Sequence, residues 1–207
     1  MELKITKLAE MTQEWIIKSK TAIEAGYVNN PKDPGKETKC GITAAKAAEF
    51  KTQLVALFKW SGRMIDLTPE MAFWIYDQDF WIKPKLDQIF LRSPLIADRL
   101  FDLGINAGQA TPIKYFQELL NVMNREQKLY PDIVADGGIG PGTLKALDAY
   151  IAVRGNEGIL RLCTMMYCEQ GHHYKKTAEA RPASEEFEYG WAGRVFDQMK
   201  LYYSLLS

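Results

Sequence analysis

The sequence predicts a mainly α-helical protein with one small β-hairpin. Apolar residues recur at helical spacing along most of the chain, for example over residues 5–25 and 44–60. Three further runs open with a Ser or Thr before Pro, which is a helix start signal: Thr68-Pro69, Ser93-Pro94 and Thr111-Pro112. Turn chemistry with extended segments is confined to residues 27–43, where Asn-Asn-Pro and Asp-Pro-Gly occur. We therefore expect the hairpin there and helices elsewhere.

The composition is that of a soluble globular protein. At 207 residues the chain can form one substantial core, or a core with an appended lobe. Lys+Arg and Asp+Glu balance at 26 each, so no bulk charge draws the protein to nucleic acid or to an anionic membrane. No apolar run reaches the length of a membrane span. We expect neither nucleic-acid binding nor membrane insertion.

The cysteines and histidines do not form a metal pattern. Cys40, Cys163 and Cys168 lack the spacing of a zinc site or a redox Cys-x-x-Cys motif. We expect free, mostly buried thiols of a reducing compartment. His172 and His173 are adjacent, and adjacent side chains of a helix face different directions. We expect no metal site and no cofactor.

The start of the chain shows no secretory pattern. A cationic stretch leading into an apolar core is missing from the first residues, MELKITKLAEM. We therefore expect synthesis in the cytoplasm without a signal peptide.

The first helix is predicted over residues 5–25 and delivers Glu24 in its last turn. Gly26 can adopt the left-handed conformation that ends a helix. Unpaired carbonyls at a helix C-terminus carry partial negative charge, so a carboxyl there should hold its proton more tightly. A raised pKa suits a general acid.

Two further carboxylates follow in the predicted hairpin. Asp33 lies nine positions after Glu24, and Glu37 thirteen. A reversing hairpin could bring either one back to face the helix end. Two carboxyls facing each other across a groove are the minimal apparatus for cleaving a glycosidic bond. The sequence leaves the choice between Asp33 and Glu37 open.

Two motifs here resemble a known enzyme family. The run E-A-G-Y, followed by D-P-G-K-E-T-K-C-G-I-T, is similar to the signature of the family 108 glycoside hydrolases. Members of that family resemble lysozymes and are taken to be N-acetylmuramidases, often phage endolysins or secretion activator proteins. The resemblance implies a lysozyme-like fold with Glu24 as the catalytic glutamate. Phage-type lysozymes also carry an aspartate nine residues later and then a threonine, which Asp33 and Thr38 resemble.

The chain departs from the family signature at three positions. Ala25 and Lys36 stand where glycines are usual, and Cys40 where an aromatic residue is usual. None of these departures removes a carboxylate.

Aromatic residues are the candidates for sugar stacking. The run FWIYDQDFWIKP, residues 73–84, is rich in aromatic side chains, and such stripes are core more often than ligand platform. Tyr76 and Trp81 are the members we would test as substrate-binding residues. Tyr27, in the E-A-G-Y motif, is a third candidate.

The second half of the chain carries three more motifs. F-D-x-x-x-N-x-G, at residues 101–108, is shared with the family and gives Asn106 as a substrate-binding candidate. D-G-x-I-G-P-x-T, at residues 136–143, resembles peptidoglycan-binding repeats, although the same residues also make a helix-connecting turn. G-W-x-x-R, at residues 190–194, also occurs near the end of family members.

These features predict a domain division. We expect a lysozyme-like catalytic region over residues 1–97 and a helical, peptidoglycan-binding-like region over residues 98–207.

The predicted function is that of an N-acetylmuramidase. It would cleave the β-1,4 bond between N-acetylmuramic acid and N-acetylglucosamine, with peptidoglycan glycan strands as its partner. A monomeric endolysin that reaches the periplasm and cell wall through holin-type lesions fits this prediction. Two alternatives stay open: a non-catalytic peptidoglycan-binding or secretion-regulating protein, and a chitinase-like glycosidase.

Overall fold

The computed structural model describes residues 11–23, 25–29 and 37–204. The chain divides into two compact units. The first is Gln13–Lys83, and the second combines the chain from Pro84 onward with the residues before Gln13. Glu24 and Asp33 both lie outside the described residues, so the predictions that concern them stay predictions.

The first unit is built from short helices and a small sheet. Its described α-helices are α1 (Gln13–Lys20), α2 (Ala44–Glu49), α3 (Lys51–Phe58) and α4 (Pro69–Ile75). Met64–Asp66 forms a 3₁₀ turn, and Tyr76–Ile82 continues α4 as a π-helix. Thr68 caps α4 by accepting a hydrogen bond from the Met71 amide, with Pro69 in the first turn as predicted.

Helix α1 ends earlier than predicted. It stops at Lys20 rather than running to residue 25, and Gly26 is not among the glycines with positive φ. Two hydroxyls near its end bind the backbone instead: Ser19 donates to the Ile16 carbonyl at 3.1 Å and Thr21 to the Ile17 carbonyl at 2.7 Å. Such bonds are also made within helices, as by Thr164 and Thr177 of the long helix Pro141–Ala180, so they do not by themselves account for the end of α1.

The sheet has three strands where we predicted a two-stranded hairpin. Strands β1 (Val28–Asn29), β2 (Glu37–Lys39) and β3 (Ile42–Thr43) are antiparallel in the order β1-β2-β3. Cys40 and Gly41 connect β2 to β3 with φ of 53° and 74°. Two positive φ values define the tight turn that favours a hairpin.

The second unit is helical in its described part. Its α-helices are α5 (Leu86–Phe90), α6 (Pro94–Ala107), α7 (Ala110–Val122), α8 (Pro141–Ala180) and α9 (Glu185–Ser204). Pro182–Ser184 forms a 3₁₀ turn between the last two helices. Helix α6 packs against α7 and α8, and α9 packs along α8. Phe101 on α6 and Phe116 on α7 are fully buried and form part of this core.

One feature of this unit differs from the sequence prediction. Helix α7 begins before Thr111, and the Thr111 hydroxyl donates to the Ala107 carbonyl rather than capping. Helix α8 is kinked at Gly155.

The mainly α, lysozyme-like fold class is confirmed, as are the three free thiols. Cys40 and Cys163 are buried and Cys168 is exposed. In the described part of the chain, no helix is long and apolar enough to cross a membrane.

Candidate active site

Tyr27 and Glu37 meet at the edge of the small sheet. Tyr27 immediately precedes β1, and Glu37 opens β2 opposite Asn29. The Tyr27 hydroxyl donates a hydrogen bond to Glu37 Oε1 at 2.9 Å. This bond to a carboxylate raises the pKa of the Tyr27 hydroxyl. Tyr27 is therefore a proton-bearing donor that orients the Glu37 carboxylate.

The pair lines a groove of about 480 Å³ in the first unit, which we call the hairpin groove. Its remaining walls come from α2, α3 and the following loop, at Ala44, Ala48, Lys51, Trp60, Gly62, Arg63, Met64 and Ile65. The small side chains at 44 and 48 leave room on that helix face. The volume falls within the range of pockets that bind small molecules.

The loop that walls the groove is fixed by its own hydrogen bonds. The Trp60 indole is nearly buried, and its Nε1 donates to the Arg63 carbonyl at 3.0 Å. Arg63 Nε donates to Asp66 Oδ2 at 2.8 Å, and this bond lowers the pKa of the Asp66 carboxyl. Lys39 Nζ donates to the Ile65 carbonyl at 2.5 Å and ties the loop to β2.

Lys51 differs from the other cation of the groove. Arg63 is already paired with Asp66. No carboxylate among residues 11–23, 25–29 and 37–204 pairs with the Lys51 ammonium. Its stem runs beside Gly62, where an added Cβ would lie 3.8 Å from Lys51 Cε. The groove therefore presents a positive charge that the described protein does not neutralise.

Thr38 and Glu37 are neighbours on β2. Successive side chains of a strand point to opposite faces of its sheet. Glu37 lines the hairpin groove and Thr38 does not. The structure therefore brings Glu37 and Tyr27 together but directs Thr38 away from them.

The backbone that follows Glu24 is tied to the sheet. The Cys40 amide donates to the Ala25 carbonyl at 3.1 Å, and the Ala25 amide to the Ala22 carbonyl at 2.9 Å. Ile23, on the other side of Glu24, is buried. Both neighbours of Glu24 are thus anchored in the first unit.

Tyr76 and Trp81 lie in the interior of the first unit. They are 3% and 1% exposed. The Tyr76 hydroxyl donates to the Gly41 carbonyl at 3.0 Å and so braces the turn between β2 and β3. Neither ring offers a face to solvent, so the structure does not support the predicted sugar-stacking role for them. Tyr27, at 37% exposure, is the predicted aromatic residue that does line the groove.

Two aspartates of the π-helix were not singled out from the sequence. Asp79 is 1% exposed and accepts hydrogen bonds from Lys46 and Lys83, both at 2.8 Å. Burial alone would raise the pKa of Asp79, but the two ammonium groups lower it. Burial raises the pKa of Asp77, which accepts hydrogen bonds from Gln13 and Gln78. Asp79 therefore ties α2 to the π-helix.

Asn106 belongs to the second unit. Its side-chain amide donates to the Asp102 carbonyl one turn earlier in α6, at 3.1 Å. Its role in substrate binding stays a prediction.

The glycine-rich motif at residues 136–143 forms a turn around Gln117. The Gln117 amide nitrogen lies 2.9 to 3.0 Å from Asp136 Oδ1, the Gly138 carbonyl and Thr143 Oγ1. The Gly137 amide donates to Gln117 Oε1 at 2.8 Å. Gln117 and the Gly138 amide together lower the pKa of the Asp136 carboxyl. Much of the polar capacity of this loop is therefore used within the fold.

The described residues contain no group of three or more His, Cys, Asp or Glu side chains placed to hold a metal ion.

Comparison with known families divides the chain further along than the two compact units do, since the first family match extends to residue 108. Residues 17–108 match the family model described as glycosyl hydrolase 108, and residues 111–196 match the one described as predicted peptidoglycan domain. The chain joins a glycosyl hydrolase 108 region to a peptidoglycan-binding-like region. It is accordingly a peptidoglycan-related glycoside hydrolase that acts at the cell wall.

The glycosyl hydrolase 108 region contains the hairpin groove and the E-A-G-Y motif. The peptidoglycan-binding-like region contains the Gln117 turn and most of α8 and α9. The predicted boundary between residues 97 and 98 stays a prediction.

A similar fold is found among solved structures, for example in Brucella abortus SagA. The structure of Brucella abortus SagA is 24% identical in sequence, and the match covers 93% of this chain and 91% of SagA with a TM-score of 0.59. No curated protein matches the chain.

The groove residues beyond the hairpin were missed in the sequence. Ala44 and Ala48 lie at i and i+4 spacing on α2, which places them on one helix face, whereas Lys51 opens the next helix. The two small side chains were the available signal, but the break at Phe50 that sets the position of Lys51 was not predictable from periodicity.

Proposed function

We propose that this glycosyl hydrolase 108 protein is an N-acetylmuramidase with Glu24 as its general acid. The observation that carries the proposal is the hairpin groove, which is lined by the Tyr27–Glu37 pair. The chain on either side of Glu24 is anchored in the same unit. In this proposal Glu24 protonates the leaving oxygen of the β-1,4 bond between N-acetylmuramic acid and N-acetylglucosamine.

A second carboxylate completes the reaction. Asp33 is the first candidate because its spacing from Glu24 resembles that of phage-type lysozymes, and Glu37 is the second. The hydrogen bond from Tyr27 orients the Glu37 carboxylate at the groove, where it could serve as a base or an electrostatic stabiliser. An inverting enzyme would hold the two carboxyls about 6.5–9.5 Å apart, with a water between them.

The Lys51 ammonium is the feature of the groove that supports peptidoglycan over chitin as substrate. N-acetylmuramic acid carries a lactyl group that ends in a carboxylate or continues as a peptide, whereas chitin is uncharged. Lys51 supplies a cation that no described carboxylate neutralises. Attraction between Lys51 and an anionic substituent would therefore select the muramyl substrate. A chitinase-like activity is the second candidate, but its uncharged substrate would not be attracted by this cation.

A non-catalytic role is the remaining alternative. A peptidoglycan-binding or secretion-regulating protein would have no need of acidic groups beside the groove. The sequence keeps Glu24, Asp33 and Glu37. Retention of all three favours the hydrolase.

We also propose that the protein acts as a phage or prophage endolysin. It would fold as a monomer in the cytosol and reach the wall through holin-type lesions. The three free thiols fit folding in a reducing compartment. Expression in bacteria should then be harmless until chloroform or a holin is added. Spontaneous lysis, with the protein recovered from the periplasm, would contradict this part of the proposal.

Purified cell walls provide the test of the activity. Turbidity of the wall suspension should fall with wild-type protein, and Glu24→Gln should slow that fall by at least ~10². Asp33→Asn and Glu37→Gln, compared in the same assay, identify the second carboxylate as the one whose loss is comparably severe. Wild-type-like lysis by Glu24→Gln would refute the assignment of the general acid.

A further inference from the structure

The peptidoglycan-binding-like region contains a cationic pocket away from its glycine-rich turn. The pocket holds about 410 Å³ and lies where the end of α7 meets the kink of α8. Three arginines line it, Arg125, Arg154 and Arg161, with Glu157 as its one carboxylate. The chain as a whole has no net charge, so this local excess of cations is a property of the pocket.

The three arginines are not equivalent. Arg161 Nη2 lies 2.6 Å from Glu157 Oε1, so these two charges satisfy each other. No carboxylate in the described part of the chain pairs with Arg125 or Arg154. Two guanidinium groups are thus left to bind an anion, and the guanidinium fork matches a carboxylate in bidentate geometry.

Helix α8 is kinked beside the pocket, at Gly155. Gly155 has φ 57° and ψ −153°, a conformation outside the helical region. Across the kink, a Cβ added to Gly158 would lie only 2.2 Å from Arg154 Cβ. The Arg154 side chain therefore packs directly on a residue without a side chain. The Tyr150 hydroxyl fixes this approach by donating to the Gly158 carbonyl at 2.8 Å.

The other wall of the pocket is strained. Arg125, Glu126 and Gln127 have φ of 57°, 58° and 63°, three successive non-glycine residues in the left-handed region. Left-handed residues of this kind normally occur singly, and they persist only where the surroundings hold them. The buried Asn124 holds this turn, since its Oδ1 accepts from the Gln127 amide at 2.9 Å and its Nδ2 donates to Asp132. Such strain clusters at ligand-binding positions.

Apolar surface adjoins the two arginines. Val122 and Met123 line the pocket, and Val122 is 78% exposed. A ligand with carboxylates on a short aliphatic backbone would contact both kinds of surface. The glycine-rich turn is a poorer candidate for such contacts, because Gln117 already occupies its polar groups.

We propose that this kink pocket binds the carboxylates of peptidoglycan stem peptides through Arg125 and Arg154. The site holds the enzyme on the wall and is separate from the hairpin groove. It recognises the peptide rather than the glycan, so it does not depend on which glycosidic bond is cut.

Sedimentation with insoluble sacculi tests the pocket on the full-length protein. Binding is measured at low temperature, where turnover is slow, on intact sacculi and on sacculi whose free carboxylates have been converted to amides, which keeps the network insoluble. The Arg125→Gln/Arg154→Gln double variant should bind intact sacculi at least ~10-fold more weakly, as expected for lost charge-assisted hydrogen bonds. Wild-type protein should lose affinity to a similar degree on the amidated sacculi. Double-variant binding within twofold of wild type, or equal wild-type binding to both kinds of sacculi, would overturn the proposal.

Matched variants separate the pocket from charge and folding. Lys114→Gln/Lys145→Gln makes the same change in net charge in the same unit outside the pocket, and should bind like wild type. Arg125→Lys/Arg154→Lys keeps the two positive charges but loses the forked guanidinium groups. Its affinity for intact sacculi should lie between that of wild type and that of the double glutamine variant. Both arginines are exposed, so circular dichroism and melting temperature should stay near wild type.

Competition and hydrolysis assays provide two further tests of the proposal. A soluble stem peptide should displace the protein from sacculi at concentrations where inorganic phosphate does not. Equal displacement by phosphate would overturn the carboxylate assignment. Cleavage of peptide-free glycan strands by the double variant should equal that of wild type, so failure of the muramidase proposal would show in this arm alone and leave the binding result intact.

Discussion

Arg194 Nη2 lies 2.5 Å from Asp102 Oδ1, although the two residues are 92 positions apart. The ion pair joins the F-D-x-x-x-N-x-G motif of α6 to the G-W-x-x-R motif of α9. Asp102 is fully buried and also accepts a hydrogen bond from Gln170 on α8 at 2.8 Å. One carboxylate therefore binds three helices of the second unit together.

Removing that charge should destabilise the second unit. Asp102→Asn keeps the shape but leaves Arg194 and the buried Arg99 without this counter-charge. Breaking a buried pair in this way costs about 3–5 kcal/mol, and we expect the lower half of that range because Arg194 is partly exposed. Urea unfolding measures the change. Asp148→Asn, which breaks an exposed pair with Arg92, should cost at most about 1 kcal/mol, and an equal cost for both variants would contradict the role of Asp102.

Two glycines of the 136–143 motif, Gly137 and Gly142, should differ in how much stability they lose on substitution by alanine. Gly137 has φ 77°, and an added Cβ would lie 2.8 Å from the Ala110 carbonyl oxygen. Gly137→Ala should therefore lower the free energy of unfolding by about 1–3 kcal/mol. Gly142→Ala, in the first turn of α8 with only a 3.9 Å contact to Ile133, should be neutral or slightly stabilising. Thermal unfolding of the two variants side by side provides the comparison, and equal melting temperatures would refute the account of the turn.

These two cases show what the sequence could and could not predict. Helix starts at Thr68 and Ser93 were predictable because capping is a local property of a few residues. The Asp102–Arg194 pair was not, because periodicity says nothing about which distant helices meet. The end of α1 at Lys20 was also missed, because the apolar spacing continues past the residue at which the helix ends.

The candidate site likewise contains some residues that the sequence could predict and others that it could not. Glu37 and Tyr27 could be proposed from motif and hairpin chemistry, and both line the groove. Tyr76 and Trp81 could not be separated from core residues, because an aromatic stripe at helical spacing is the same signal for burial and for stacking. Both residues lie in the π-helix Tyr76–Ile82, which the residue pattern did not predict.

Acid should weaken the first unit through Asp79. Its folded-state pKa lies below the ordinary value of 3.8 because Lys46 and Lys83 outweigh the effect of burial. A depressed carboxyl pKa contributes stability that is present above about pH 4 and is lost as pH falls through the folded value. Asp79→Asn should therefore lower stability at pH 7, and its difference from wild type should shrink as pH falls below 4. Unfolding curves between pH 7 and 3 measure this, and a difference that stayed constant over that range would contradict it.

Lys51 should set the choice between charged and neutral glycans. Lys51→Gln removes the cation of the hairpin groove and should reduce hydrolysis of peptidoglycan several-fold, mainly through KM. Hydrolysis of chitooligosaccharides, if wild type shows any, should be unchanged. Lys114→Gln, which lies outside the groove, is the control for net charge. Equal losses on both substrates would remove Lys51 from any role in specificity.

The most direct test of the central claim is the identity of the new reducing ends. Purified walls are digested with wild-type protein and with Glu24→Gln, reduced with borohydride, and the fragments are identified by mass spectrometry. A muramidase that uses Glu24 as its acid produces fragments ending in reduced N-acetylmuramic acid, and the variant produces at least ~10²-fold fewer. Fragments ending in reduced N-acetylglucosamine, or equal yields from both proteins, would contradict the account.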